Sequence, residues 1–183
     1  MTTTTAPPAP ASATTTQPLL LMTLPTPAGP AHAVVTPEDG VLHLFGWHDP
    51  VDNLPRLAPH LRDRGVQTAT GPERVRDAVA RYGDGELAAL DELAVGQPGG
   101  AFFQAAWLAM RRIAPGHPVT YTTLAADAGR PAAVRAAASA CARNLVALVV
   151  PCHRVVRTDG GLGGFYYGLD VKRALQAHEA RFA

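Results

Sequence analysis

A cysteine and a histidine stand side by side at Cys152 and His153, after the apolar run 145–150 and Pro151 and before Arg154, Val155, Val156 and Arg157. A thiolate is a strong nucleophile and a thiol is not, so such a cysteine becomes reactive where a proton acceptor is at hand. An imidazole is an acceptor whose pKa lies near neutrality. A bland reading fits as well, because free cysteine is among the most buried residue types and packs as a small apolar group. The run before the pair reads as a buried strand, and a side chain at a strand's end faces a pocket as readily as a core. The pair alone leaves both readings open. Residues 160–164 are glycine-rich, but no Gly-Lys-Ser/Thr follows them, which excludes a phosphate-binding loop.

The chain that must position this pair has 183 residues, enough for one domain or two small ones with a sizeable core. The formal net charge of +1 announces no bulk attraction to nucleic acid, so any such contact has to come from a local patch. Cys141 and Cys152 are the only cysteines, too few for a disulfide scaffold, which points to a reducing, cytoplasmic setting. No apolar run approaches the roughly 20 residues that span a bilayer, so a soluble chain with no membrane partner is expected. Residues 1–18 are nearly all Thr, Ala, Pro and Ser and read as a disordered tail. A signal peptide is the rival for that segment, but it carries no Lys or Arg.

From residue 19 the pattern turns β-like. Apolar runs at 19–24, 31–35 and 41–47, separated by Pro-Ala-Gly-Pro and Pro-Glu-Asp-Gly, predict a small antiparallel meander. Helices are predicted over 54–64 and 72–82, and 86–95 is ambiguous. Gln97-Pro98-Gly99-Gly100 breaks the chain into an N-terminal α/β domain, 19–96, and a C-terminal domain, 97–183. There Phe102, Ala105, Ala106, Ala109 and Ile113 recur at helical spacing over 101–113. A short helix at 123–128, the turn Gly129-Arg130-Pro131 and an alanine-rich helix at 132–143 give a helix-turn-helix outline. Its alanines suit tight core packing, or close approach to a groove into which Arg135 reaches.

Four stretches together resemble the catalytic domain of the O6-alkylguanine-DNA alkyltransferases, most of all the C-terminal half of bacterial Ada. They are Phe102 to Trp107, Val119-Thr120-Tyr121, the run 133–144, and the Pro151-Cys152-His153-Arg154-Val155 stretch, and their order and spacing hold over about 80 residues. The resemblance implies an α/β (α+β) fold. A small N-terminal ribonuclease-H-like domain would precede a mostly helical domain bearing a winged helix-turn-helix-like element. It implies DNA repair by stoichiometric, irreversible transfer of a methyl or alkyl group from O6 of guanine, and from O4 of thymine, to Cys152 after base flipping.

In that scheme His153 is the base acting through a water, Glu179 orients His153, Tyr121 donates a hydrogen bond to the leaving base, and Asn144 is the hinge. Arg135 fills the gap left by the flipped base, and Tyr121, Thr122, Ala133, Ala136 and Ser139 touch DNA. Val155, Gly164, Phe165 and Tyr166 form the base pocket. Read on their own, Glu179 is an ordinary surface charge, Asn144 a helix cap, Tyr121 a turn residue and Cys141 small packing. The implied partner is double-stranded DNA carrying O6-alkylguanine, met by a monomer. No cofactor or metal is implied, since the cysteines of the zinc site in some relatives are missing. Phe165, Tyr166 and Tyr167 depart from common family residues and make a bulkier pocket wall. Two rivals remain: a non-catalytic lesion-binding relative, against which Cys152 argues, and an unrelated Cys-His-Glu hydrolase, which leaves Arg135 and Asn144 unexplained.

Overall fold

The computed structural model describes residues 17–183; the tail expected at 1–18 lies outside the described residues except for its last two. Strands β1 (Leu19–Leu24), β2 (Ala31–Val35) and β3 (Leu42–Gly46) form the expected antiparallel meander. A fourth strand, β4 (Val66–Thr68), adds to the far edge parallel to β1, giving the order β3-β2-β1-β4. All three of its residues are exposed, so no apolar alternation announced it.

The helix predicted over 54–64 is not continuous. Two single turns, α1 (Pro50–Asn53) and α2 (Pro59–Arg62), flank a 3-10 turn at Leu54–Arg56. Pro55 and Pro59 account for the break, since each lacks the N–H that would close the preceding turn. Asp49 caps α1 by accepting from the Val51 N–H at 2.9 Å. Helix α3 (Glu73–Gly83) appears where predicted, shifted by one residue, and buries Val75, Ala78, Val79 and Tyr82 along one stripe. The ambiguous segment after it is a 3-10 helix, Leu87–Glu92.

The C-terminal half begins with α4 (Ala101–Arg111), followed by β5 (Val119–Thr120), α5 (Tyr121–Asp127) and α6 (Val134–Arg143). Thr120 caps α5 by accepting from the Thr123 N–H at 3.1 Å. Gly129, in the left-handed region at φ 80°, turns the chain toward α6. A short strand β6 (Val155–Val156) pairs in parallel with β5, and α7 (Leu169–Phe182) closes the chain. One buried apolar cluster runs from Leu19 through Tyr82 and Met110 to Leu175, so both halves pack on a common core. Among the described residues no helix is long and apolar enough to cross a membrane.

The run 145–150 is buried throughout but is not the strand its composition suggests. It makes one bridge to β3, where the Phe45 N–H donates to the Leu145 carbonyl at 2.8 Å and the Ala147 N–H to the Phe45 carbonyl at 2.9 Å. It then coils back, with Leu148 at φ 69° and the Val150 N–H on the Val146 carbonyl at 2.9 Å. A left-handed leucine costs of order 1 kcal/mol and persists only where its surroundings impose it. Asn144 imposes it. Its Oδ1 accepts from the Val146 N–H at 3.1 Å and its Nδ2 donates to the Val150 carbonyl at 2.7 Å, clipping both ends of the loop. An apolar run without periodicity does not distinguish a strand from such a buried coil.

Candidate active site

Cys152, His153 and Arg154 form a 3-10 turn that starts at Pro151. The residues are not extended, so the turn, and not strand pleating, sends Cys152 and His153 in different directions. They make no hydrogen bond to each other. Cys152 faces a cavity of about 350 Å³, a size suited to a small ligand. Tyr121 of α5 and Ala138, Cys141 and Ala142 of α6 form one wall, and Gly164, Phe165, Tyr166 and Tyr167 the other. A larger cavity of about 420 Å³ lies in the N-terminal half among Leu19, Val51, Leu54, Leu61 and Val66. It is lined by no nucleophile or base, so the smaller one is the candidate site.

Asn144 does more than cap α6. Besides clipping the loop, its Nδ2 donates to Cys152 Sγ at 3.2 Å, and its Oδ1 accepts from Gln97 Nε2 at 3.1 Å. Burial pushes the Cys152 thiol up, opposed by the Asn144 donor and the Lys172 charge. The resting sulfur is therefore a thiol that needs a base.

His153 is fully buried behind the turn, and its Nε2–H donates to Glu179 Oε1 at 2.8 Å. That bond assigns the proton to Nε2 and leaves Nδ1, which has no partner among the described residues, as the accepting nitrogen. Burial pulls the His153 pKa down and the Glu179 carboxylate works against that. Glu179 is 1% exposed, not a surface charge. Burial alone would raise its carboxyl, but the His153 hydrogen bond and Arg154 outweigh it and hold the group well below the usual carboxylate range. Arg154 donates from Nε to both oxygens at 3.1 and 3.0 Å and from Nη2 to Oε1 at 2.8 Å, a fork matched to a carboxylate. Arg154 Nη1 is spent on the Ile113 carbonyl at 2.6 Å.

Tyr121 is half-buried in the cavity wall, and burial pushes its phenol up to about 12, so it remains a hydrogen-bond donor at neutral pH. Its ring closes on Gly163, where a Cβ would meet the Tyr121 hydroxyl at 2.9 Å. Gly164, Phe165 and Tyr166 line the cavity as expected, but Val155 does not. Val155 is wholly buried in β6, with its N–H on the Cys152 carbonyl and its own carbonyl taken by Lys172. On the outer surface Thr122, Arg135 and Ser139 are exposed and Ala133 and Ala136 half-buried. The Ser139 hydroxyl is turned back on the Arg135 carbonyl at 3.0 Å.

The sequence reading left Arg154, Lys172, Gln97 and Tyr82 unassigned. Lys172 is the chain's single lysine among sixteen basic Lys and Arg residues, and it is fully buried. Its ammonium donates to the Val155 carbonyl at 2.6 Å and to the Leu162 carbonyl, tying β6 to the pocket loop. A lone lysine in a chain that otherwise uses arginine was the available signal. Among the described residues no cluster of His, Cys, Asp or Glu could hold a metal ion.

A thiol, a histidine and a buried carboxylate behind a cavity that opens beside a helix-turn-helix define a cysteine-based centre on a DNA-binding scaffold. Residues 101–181 match the family described as 6-O-methylguanine DNA methyltransferase, DNA binding domain. A methylated-DNA–protein-cysteine methyltransferase of Salmonella typhimurium is 37% identical over 164 residues, spanning 88% of this chain and 95% of that protein. The bifunctional transcriptional activator/DNA repair enzyme Ada of Escherichia coli is 51% identical over 82 residues, 45% of this chain and 23% of Ada. Among solved structures, the O6-methylguanine methyltransferase of Mycobacterium tuberculosis superposes with a TM-score of 0.71 at 27% identity, over 90% of this chain and 94% of that one. The Mycobacterium tuberculosis OGT in complex with DNA gives 0.70 at 26%, with the same coverage. This chain belongs to the methylated-DNA–protein-cysteine methyltransferase family. The likeness extends into the N-terminal half, where the sequence motifs were loose.

Proposed function

We propose that Cys152 is the alkyl acceptor, and that the alkyl group comes from O6 of guanine in duplex DNA. Repair of DNA by alkyl transfer to a cysteine is the activity of this family, and DNA is its partner. The observation that carries the assignment is that Cys152 lines the small cavity with Asn144 bonded to its sulfur, while the adjacent His153 is bonded to the buried Glu179 behind the turn. In the proposed step the Cys152 proton passes through a water to His153 Nδ1, and sulfur attacks the alkyl carbon. The carbon–O6 bond breaks as the carbon–sulfur bond forms, and its electron pair leaves on the guanine. A hydrogen bond from Tyr121 spreads that charge, and the base leaves neutral once it regains a proton. The imidazolium formed on the way is held by Glu179.

A base stacked in a duplex is out of reach of a buried thiol and must be extruded at a cost of a few kcal/mol. In this reading the exposed Arg135 on α6 occupies the gap, with Thr122, Ala133, Ala136 and Ser139 against the backbone. In this scheme α6 enters the minor groove, where small side chains permit close approach. The domains divide at 96/97, and the protein acts as a cytoplasmic monomer. O4-alkylthymine is a second, smaller substrate for the same pocket. A thioether on Cys152 is not readily hydrolysed, and burial raises the pKa of the neighbouring Cys141 thiol far above its ordinary value, so no ready nucleophile is there to release it. The test is to mix the protein with excess O6-methylguanine duplex. Transfer should stop at one alkyl group per chain, and continued turnover would favour the hydrolase reading.

A further inference from the structure

Glu179 is reached from both halves of the chain. Tyr82, near the end of α3 in the N-terminal half, is fully buried and donates its hydroxyl to Glu179 Oε1 at 3.0 Å, 97 residues away in sequence. That is the oxygen which also accepts from His153 Nε2 at 2.8 Å and from Arg154 Nη2 at 2.8 Å. Oε2 is held by Arg154 Nε and, at 3.3 Å, by the Gly116 N–H. A buried phenol has to find an acceptor, but any free carbonyl would serve. Here it shares one oxygen with the relay histidine. The Tyr82 ring is fixed from α7, where His178 packs at 5.1 Å between centroids and donates from Nε2 to the Tyr82 carbonyl at 2.8 Å.

We propose that Tyr82 is a positioning residue of the alkyl-transfer centre: it holds Glu179 Oε1 against His153 and draws off part of the carboxylate's charge. The N-terminal half thereby sets how tightly His153 holds the proton it takes from Cys152. This rests on the roles given above to Cys152, His153 and Glu179. The charged and titratable groups that bear on the pair are Arg154 and Cys152 from the 3-10 turn, Lys172 and His178 from α7, and Tyr82 from α3. Of these, Arg154 and Lys172 lower the His153 pKa directly, while Tyr82 acts only through Glu179.

Donors to one oxygen compete, because each drains charge that the others would otherwise meet. Tyr82→Phe keeps the ring and deletes one donor, leaving Oε1 to His153 and Arg154. The imidazolium is then better stabilised, and the His153 pKa rises. Transfer requires a neutral Nδ1, so the acidic limb of the single-turnover rate against pH should move upward, by about half a pH unit. Binding of a lesion duplex should be unchanged.

Replacing Tyr82 by 3-fluorotyrosine, a more acidic phenol of nearly the same size, strengthens the donor and should move the limb downward. This second variant decides the matter if Tyr82→Phe folds poorly. A limb that stays in place in both variants, with the rate lowered equally at every pH or not at all, overturns the inference and leaves Tyr82 a packing residue. Failure of the wild-type protein to take an alkyl group on Cys152 would instead overturn the reading on which the inference rests, and the inference with it.

Discussion

The relay behind Cys152 and the helix surface in front of it are built from opposite materials. Behind, Glu179, His153, Arg154, Tyr82 and Lys172 are buried and each is fastened to named partners. In front, α6 offers alanines, Ser139 and the exposed Arg135. The first region pays in desolvation for a geometry that does not have to change when the substrate arrives. The second leaves its cation exposed to water, free to reorganise around the extruded base of the proposed scheme. Rigidity is concentrated at the groups proposed to handle the proton, not at those proposed to meet the DNA.

Substitutions should therefore separate stability from transfer according to the side on which they fall. The largest effect is expected for Glu179→Gln. It strips the buried Arg154 of its counter-charge, so chemical denaturation should show a loss of about 3–5 kcal/mol together with loss of transfer. A change under 1 kcal/mol would mean the relay is not the rigid side. Lys172→Arg keeps the charge but forces a larger fork into a site shaped for an ammonium. It should cost about 1–3 kcal/mol by the same measurement.

On the other side, Arg135→Ala should leave stability within about 0.5 kcal/mol. Transfer from duplex DNA should nonetheless fall about tenfold or more, because flipping costs a few kcal/mol that nothing then offsets. Transfer from the same lesion in a single strand should hardly change, and an equal loss on both substrates would deny Arg135 its place in the stack.

The smallest effect is the pH dependence of stability. The folded pKa of His153 lies below its ordinary 6.5 and that of Glu179 below its ordinary 4.5, so in both cases the unfolded chain takes up the proton first as pH falls. Stability contributed by His153 is present above 6.5 and lost below it, and that from Glu179 begins to go below 4.5. The melting temperature should fall in two stages on acidification, and the first stage should shrink in His153→Gln, leaving the part due to His43, whose pKa burial also pulls down.

The two sides also differed in how far they could be read from sequence. Cys152, Asn144, Tyr121 and α6 lie in contiguous motifs, and the structure brings Tyr121, Asn144 and Cys152 to one cavity. Tyr82 sits on the apolar stripe of an amphipathic helix, where a tyrosine looks like ordinary core, and its partner is remote in sequence. Glu179 is a surface charge by local pattern and became a buried one only through Arg154 and His153 arriving from the 3-10 turn. The helix expected over 54–64 overlooked Pro55 and Pro59, which carry the signal for the break, whereas β4 left none, because an exposed three-residue edge strand shows no pattern. The buried coil at 145–150 needed the Asn144 side chain to be recognised as a substitute for a neighbouring strand's hydrogen bonds.

Peptide mapping of the protein after reaction with an O6-methylguanine duplex tests whether Cys152 is the alkyl acceptor. A single methyl group on Cys152, and none on a Cys152→Ala variant that still binds the lesion, is the result predicted. An unmodified Cys152, or a methyl group found on Cys141, would contradict it.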